Sequence, residues 1–173
     1  RSLGCSLAKL YSSATVAAHD VNISSGTQSV LPEVSKATAN ADSRTGTWTG
    51  PTTVGGVTDI SYSTTIGDKV VYSLTAVERI VWRCYCTTNG AIVKVVIKDS
   101  GGTEIAAGYT VPASGSDRLI DLRTGGIGQN FISLADGLTQ GDYTVEIEVA
   151  ATNPVGGRSY DGGMRGFLLT PFD

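Results

Sequence analysis

Tyrosine and arginine recur close together along the chain. Tyr160 stands between Arg158 and Arg165, in and just after the stretch Gly156-Gly157-Arg158-Ser159-Tyr160-Asp161-Gly162-Gly163. Tyr62, Tyr85 beside Arg83, Tyr109 and Arg123 supply the same residue types elsewhere. An exposed ring packs against the apolar face of a pyranose, while a planar guanidinium reaches hydroxyls in fixed directions. The candidates for such a site are Tyr160, Arg158, Arg165, Tyr62 and Arg123. The glycines of residues 156–163 predict an exposed loop carrying Tyr160. An ordinary hairpin loop without a ligand explains the same composition.

Other chemistries lack their residues. A Ser-His-Asp triad would have to use His19, the single histidine, in a weakly patterned region. There is no G-x-S-x-G elbow, and Gly125-Gly126-Ile127-Gly128 is not a phosphate loop feeding a helix. Glu146 and Glu148 share one face of a predicted strand. Pairing with Lys94 and Lys98 on a solvated face accounts for them better than glycoside hydrolysis does. Cys84 and Cys86 are two apart on a predicted strand, so both side chains point to one face. That spacing makes a poor disulfide, a metal would need further ligands, and burial as small hydrophobes is the expected role. The chain is therefore expected to be no enzyme and to need no cofactor.

The elements that must position these residues read as β structure. Of 173 residues, 40% are apolar but only 17% are charged, and 22 are glycine. The charged share is below the roughly 25% usual for soluble domains. A net charge of -3 with no basic patch speaks against nucleic-acid binding. No apolar run reaches the roughly 20 residues of a membrane span. The first residues, RSLGCSLAKLYSSATVAAHD, lack the continuous apolar stretch of a signal peptide. Val70–Leu74, Arg79–Cys86, Ala91–Lys98, Glu104–Tyr109, Arg118–Leu122, Tyr143–Ala150 and a final segment from Gly166 are predicted strands. Asn89-Gly90 predicts a hairpin between the second and third of these. Trp82 shares its strand face with Ile80, Cys84 and Cys86 and belongs in the core. Residues 1–44 are rich in Ala, Ser and Thr, with Leu3, Leu7 and Leu10 hinting at a helical face. They are expected to form an irregular, partly helical N-terminal arm ahead of a β-domain spanning residues 45–173.

The order of the segments carries a resemblance. Asp42–Trp48 (DSRTGTW) is followed by Ile60-Ser61-Tyr62-Ser63, then Val95-Val96-Ile97-Lys98-Asp99 ahead of Gly101-Gly102. Ile120-Asp121-Leu122 and Leu138-Thr139-Gln140-Gly141-Asp142-Tyr143-Thr144-Val145-Glu146-Ile147 come next. This order is similar to that of the galactose-binding-like jelly-roll family of carbohydrate-binding modules, over about residues 42–172. Ser100 intervenes where the family often has a glycine directly after the aspartate, and Tyr143 stands where it often has histidine. The resemblance implies an all-β fold, an antiparallel jelly-roll β-sandwich, with Trp48 packing across it between two glycines. It also implies that a structural calcium is an option. Asp99, Asp117, Asp136, Asp142 and Asp161 fall in predicted turns, where bonding to their own backbone is the simpler role.

Similar domains occur on glycosidases, bacterial surface proteins and phage fibres, and fold alone does not choose among them. Low charge, the unpatterned arm and unpaired cysteines favour a non-enzymatic virion or surface structural module, such as a phage fibre, tail or capsid-decoration protein, with host-glycan binding as an added role. Its expected partners are other virion or surface proteins reached through residues 1–44, and further copies of itself, as in a trimer. The expected location is the virion surface. The alternative is an extracellular carbohydrate-binding module of a secreted glycosidase.

Overall fold

Runs of β-branched and aromatic residues at alternating positions build the strands of this protein. The structure is a computed structural model and describes residues 20–24, 27–31, 33–123, 127–152 and 156–168. Strands β1 (Asp20–Ser24) and β2 (Thr27–Leu31) pair only with each other. β4 (Ser43–Thr45), β7 (Lys69–Val77), β9 (Ile92–Lys98), β10 (Ala113–Ser114), β11 (Asp117–Asp121) and β13 (Gly141–Ala151) form a first sheet in the order β10-β11-β9-β13-β7-β4. β5 (Thr49–Val54), β6 (Val57–Ser63), β8 (Arg79–Cys86), β12 (Gly128–Ala135) and β14 (Ser159–Phe167) form a second sheet in the order β12-β8-β14-β6-β5. β3 (Glu33–Ala37) joins the second sheet beside β14. All strand pairs are antiparallel. From β7 onward the chain passes back and forth between the sheets, which makes the sandwich a jelly roll, as the resemblance implied.

One expected hairpin and one expected strand do not form. Asn89-Gly90 does not close a hairpin, because β8 and β9 lie in opposite sheets. Gly90 N donates to Thr87 O at 2.8 Å, and Ala91 N donates to Arg158 O at 2.9 Å. The turn crosses the sandwich edge instead, and a side chain at Gly90 would meet the Leu122 backbone at 2.5 Å. Glu104 and Tyr109 make only single bridges, to Lys98 and Ala135.

The expected boundary near residue 45 falls inside the sandwich. β3 pairs with Gly163–Phe167, β4 pairs with β7, and Thr38 on the 3-10 turn between them is fully buried. The positions expected to be helical, Leu3, Leu7 and Leu10, lie outside the described residues, as do Cys5 and His19.

Inward faces of both sheets meet in one core. Trp82, Tyr72, Leu74, Ile97, Ile147 and Met164 are among its fully buried members. Each contributes on the order of 1.5–3 kcal/mol by leaving water. Cys84 and Cys86 are buried here as free thiols, with Sγ atoms 4.0 Å apart. The hydrogen bond between them and burial push the Cys84 thiol well up.

Asp161 occupies the centre of this core rather than a turn. Its carboxylate is 0% exposed. It accepts hydrogen bonds from Thr38 Oγ1 (2.6 Å), the Tyr72 hydroxyl (2.5 Å), Trp82 Nε1 (2.9 Å) and Gly163 N (3.2 Å). Arg44 lies 3.7 Å away. The network ties the segment around β3 and β4 to both sheets. Burial and the Asp161 charge push the Tyr72 hydroxyl far above its ordinary range.

Candidate functional site

The outer faces of the two sheets carry different chemistry. On the first sheet, Lys69 reaches Glu146 at 2.9 Å and Glu148 at 3.4 Å, and Lys98 reaches Glu146 at 2.6 Å. Lys94 pairs with Asp117 at 2.7 Å rather than with a glutamate. This face is charge-matched, as the sequence suggested, though with Lys69 in place of Lys94 beside the glutamates.

The second sheet's outer face is aromatic and basic. Alternation along β8 sends Val81, Arg83 and Tyr85 outward, opposite Trp82 and the cysteines. A satellite cluster of Ile60, Tyr85 and Tyr160, with Tyr62, Val54 and Val57, packs on that outer side. The Tyr160 ring centroid lies 5.9 Å from Tyr62 and 5.7 Å from Tyr85, the second pair edge to face. The Arg158 guanidinium sits 4.6 Å from the centroid of the Tyr62 ring. Three of the five candidates, Tyr62, Arg158 and Tyr160, therefore come together.

Tyr160 does not stand in an exposed loop, however. It is on β14 and 5% exposed. The glycines around it serve close packing, not mobility. Gly163 has φ +109, and a side chain there would strike the Lys36 backbone. Tyr160 therefore supports Tyr62 and Tyr85 from beneath rather than offering a free surface.

Arg165 lies on the same face, further along β14. Its guanidinium is 4.8 Å from the centroid of Phe131, a ring 41% exposed on the edge strand β12. Its Nε lies 3.5 Å from Glu33. Between Arg165 and the tyrosine cluster is a cleft of about 100 Å³ bordered by Lys36, Asp59, Arg83, Gly162 and Arg165. Arg83 donates to Thr58 O (2.8 Å) and Gly162 O (3.2 Å) and stands 3.9 Å from Asp59. A side chain at Gly162 would touch both Arg83 and Ile60 at 3.0 Å, so cleft and cluster adjoin.

The remaining candidates lie elsewhere. Arg123 follows β11 of the first sheet and is held by Asp121, with Nε at 2.8 Å from Oδ1. Tyr109 donates to Glu104 at 3.1 Å and carries Arg118 4.8 Å from its ring centroid. Trp48, between β4 and β5, is half-buried against the main core and donates from Nε1 to Thr45 O at 3.2 Å. Sequence reading missed Phe131, Asp59 and Lys36. A single aromatic on the polar side of Gln129-Asn130-Phe131-Ile132-Ser133 was the available signal for the first.

For calcium, the five aspartates do not converge. Asp99 accepts from Gly101 N and Thr103 N, Asp136 from Gly137 N, and Asp142 from Ala76 N. Asp117 holds Lys94, and Asp161 is in the core. Among the described residues, no three His, Cys, Asp or Glu side chains group as metal ligands. None of their helices is long and apolar enough to cross a membrane.

No protein-family model matches the sequence, and no curated protein matches it. Solved structures do resemble it in shape. A two-domain esterase active on acetylated mannans superposes with a TM-score of 0.57 at 7% identity, over 82% of this chain and 37% of that one. A family two carbohydrate esterase from Cellvibrio japonicus gives 0.51 at 14% identity, over 82% and 36%. The carbohydrate-binding module CBM36 in complex with calcium and xylotriose gives 0.48 at 18% identity, over 79% and 99%. The chain spans little more than a third of the length of the two esterases. At such identities the likeness to the two esterases is one of fold alone.

Proposed function

We propose that this chain is a non-catalytic carbohydrate-binding module whose ligand lies along the outer face of the second sheet. One observation carries the reading. An exposed aromatic ring, Phe131, adjoins a cleft edged by two guanidiniums and a carboxylate on the outer face of the second sheet. A sugar ring would stack on Phe131 while Arg165, Arg83 and Asp59 address its hydroxyls. Tyr62 under Arg158 would extend the contact along the chain of the ligand. Shared fold with parts of two sugar-active esterases supports this use of the sandwich.

This is the alternative that the sequence left beside a virion or surface structural role. The virion location, the docking of residues 1–44 and the oligomer gain no support from the described residues. An extracellular location follows from the carbohydrate reading. The test is a glycan array with the parent chain and Phe131→Ala. Binding to a defined set of oligosaccharides, reduced at least tenfold by the substitution without loss of folding, is expected. Equal binding by both proteins would remove this face from the proposal, and an empty array would remove the function.

A further inference from the structure

The β5–β6 hairpin leaves its sheet part-way along. β6 pairs with β14 only over Ser61–Ser63. From Val57 to Ile60 its strand partner among the described residues is β5 alone. Both legs turn at this point. Asp59 holds φ +62 on β6, and Gly50 holds φ +119 on β5, where the register also shifts between Thr49 and Thr52. Aspartate is strained in that left-handed conformation, and such strain gathers at ligand clamps and switch regions.

Beyond the turn the two legs form a ribbon folded over the outer face of the second sheet. Thr58 O accepts from Arg83 Nη2 at 2.8 Å, and the same nitrogen lies 3.4 Å from Gln129 Oε1 on the edge strand β12. A side chain at Gly55, at the ribbon's tip, would strike the Tyr85 hydroxyl at 2.0 Å. Val54 and Val57 pack on the cluster of Ile60, Tyr85 and Tyr160. The ribbon thus covers these side chains and reaches toward the strand that carries Phe131. Its hold is slight. Among the described residues it consists of two half-buried valines, the bond from Arg83 and the 3.9 Å approach of Arg83 to Asp59. A two-stranded ribbon without a third strand is marginal in water, and elements with few contacts open before the core does.

The surface beneath has unused polar groups. Ile60, Tyr85 and Tyr160 are 0%, 8% and 5% exposed. Yet the hydroxyls of Tyr62, Tyr85 and Tyr160 make no hydrogen bond among the described residues, whereas those of Tyr72, Tyr109 and Tyr143 each do. Buried tyrosines ordinarily find a partner for the hydroxyl. Here that partner is left for a ligand to supply.

We infer that the β5–β6 ribbon is a lid over a second aromatic platform, and that a linear oligosaccharide binds with the lid raised. The inference rests on the carbohydrate reading above and adds the class of ligand, a chain that runs from Phe131 to the tyrosines rather than a single sugar. Sugar rings stack on Tyr85, and their hydroxyls exchange hydrogen bonds with those of Tyr85 and Tyr160. The apparent affinity is the intrinsic one reduced by the fraction of molecules that are open. Weakening the lid's hold therefore tightens binding.

Calorimetric titration of the full chain tests this. The probes are cellohexaose, xylohexaose, mannohexaose and the tightest binder from the glycan array. Val54→Ala and Val57→Ala each remove half-buried methyl groups from the closed lid and should tighten binding about three- to fivefold. Tyr85→Phe should weaken it by about threefold or more with Tm unchanged, since the hydroxyl bonds nothing in the protein. Near-ultraviolet circular dichroism checks that the variants are folded. If neither valine variant is, the Val54 and Val57 methyl resonances of the parent decide. Saturation with the binder should move them away from the ring-shifted positions of valines packed on tyrosine and toward those of exposed valine. Valine variants that bind no tighter than the parent, Tyr85→Phe binding as the parent does, or methyl resonances that stay in place overturn the inference and leave the carbohydrate reading standing on Phe131. Failure of every probe and of the glycan array overturns both.

Discussion

Replacing Asp161 by asparagine removes one charge from the centre of the core and almost no volume. The carboxylate has two sides. Oδ1 accepts from Trp82 Nε1 and Gly163 N, both fixed donors. Oδ2 accepts from the Thr38 and Tyr72 hydroxyls, which can rotate and accept in turn, and faces Arg44. The amide nitrogen of Asp161→Asn must therefore take the Oδ2 side. Four charge-assisted bonds become neutral ones, at about 0.5–1 kcal/mol each, and Arg44 loses its counter-charge. The sum is about 2–4 kcal/mol. For a chain of this size that lowers Tm by roughly 5–15 °C. Asp161→Ala strands every donor and should cost about 3–5 kcal/mol. Urea unfolding followed by tryptophan fluorescence measures all three proteins, since Trp82 reports on the site directly. An asparagine variant within about 0.5 kcal/mol of the parent, or one less stable than the alanine variant, refutes the reasoning.

Further outcomes are open to measurement. Gly163→Ala forces a side chain into the Lys36 backbone at φ +109 and should destabilise by more than about 2 kcal/mol, read by the urea midpoint. Burial raises the Glu146 carboxyl, but hydrogen bonds from Lys98 and Lys69 outweigh this and hold it below its ordinary value of 4.5. Its contribution, about 1 kcal/mol or less, is present above that value and lost as pH falls through the lowered one, so Glu146→Gln should flatten the acid limb of stability. Cys84 and Cys86 should react with a thiol reagent only in denaturant, and reaction at the native rate of a surface thiol would contradict their burial.

The strands that could be read from the sequence are those with two distinct faces. The expected spans of β8, β9 and β13 nearly match those observed, and the expected Val70–Leu74 lies within the longer β7. The first part of β14, SYDGG, read as a loop because glycine and aspartate favour turns, while its end, Gly166-Phe167, fell in the expected final strand. β14 is nonetheless the most enclosed strand of its sheet, since β3, β6 and β8 all approach its backbone closely and leave little room for side chains. β12 was hidden for a similar reason, its start being Gly-Gln-Asn. The site followed the same division. Tyr62, Arg158 and Arg165 were recognisable by type, but Phe131, Asp59 and Lys36 meet them only through sheet order. That order brings together residues more than 90 positions apart.

The placement of β14 has a consequence for how the chain is made. It is the last strand among the described residues, yet it stands in the middle of the second sheet, and its Asp161 anchors residues as early as Thr38. Synthesis proceeds from the N-terminus at about 5–20 residues per second. For the several seconds before residue 167 leaves the ribosome, β3, β6 and β8 have no central strand to pair with. Their edges and the apolar face of β8 stay open in that interval, the condition in which partly made chains aggregate. A circular permutant that begins near β14 should shorten the exposure and give more soluble product at the same expression rate.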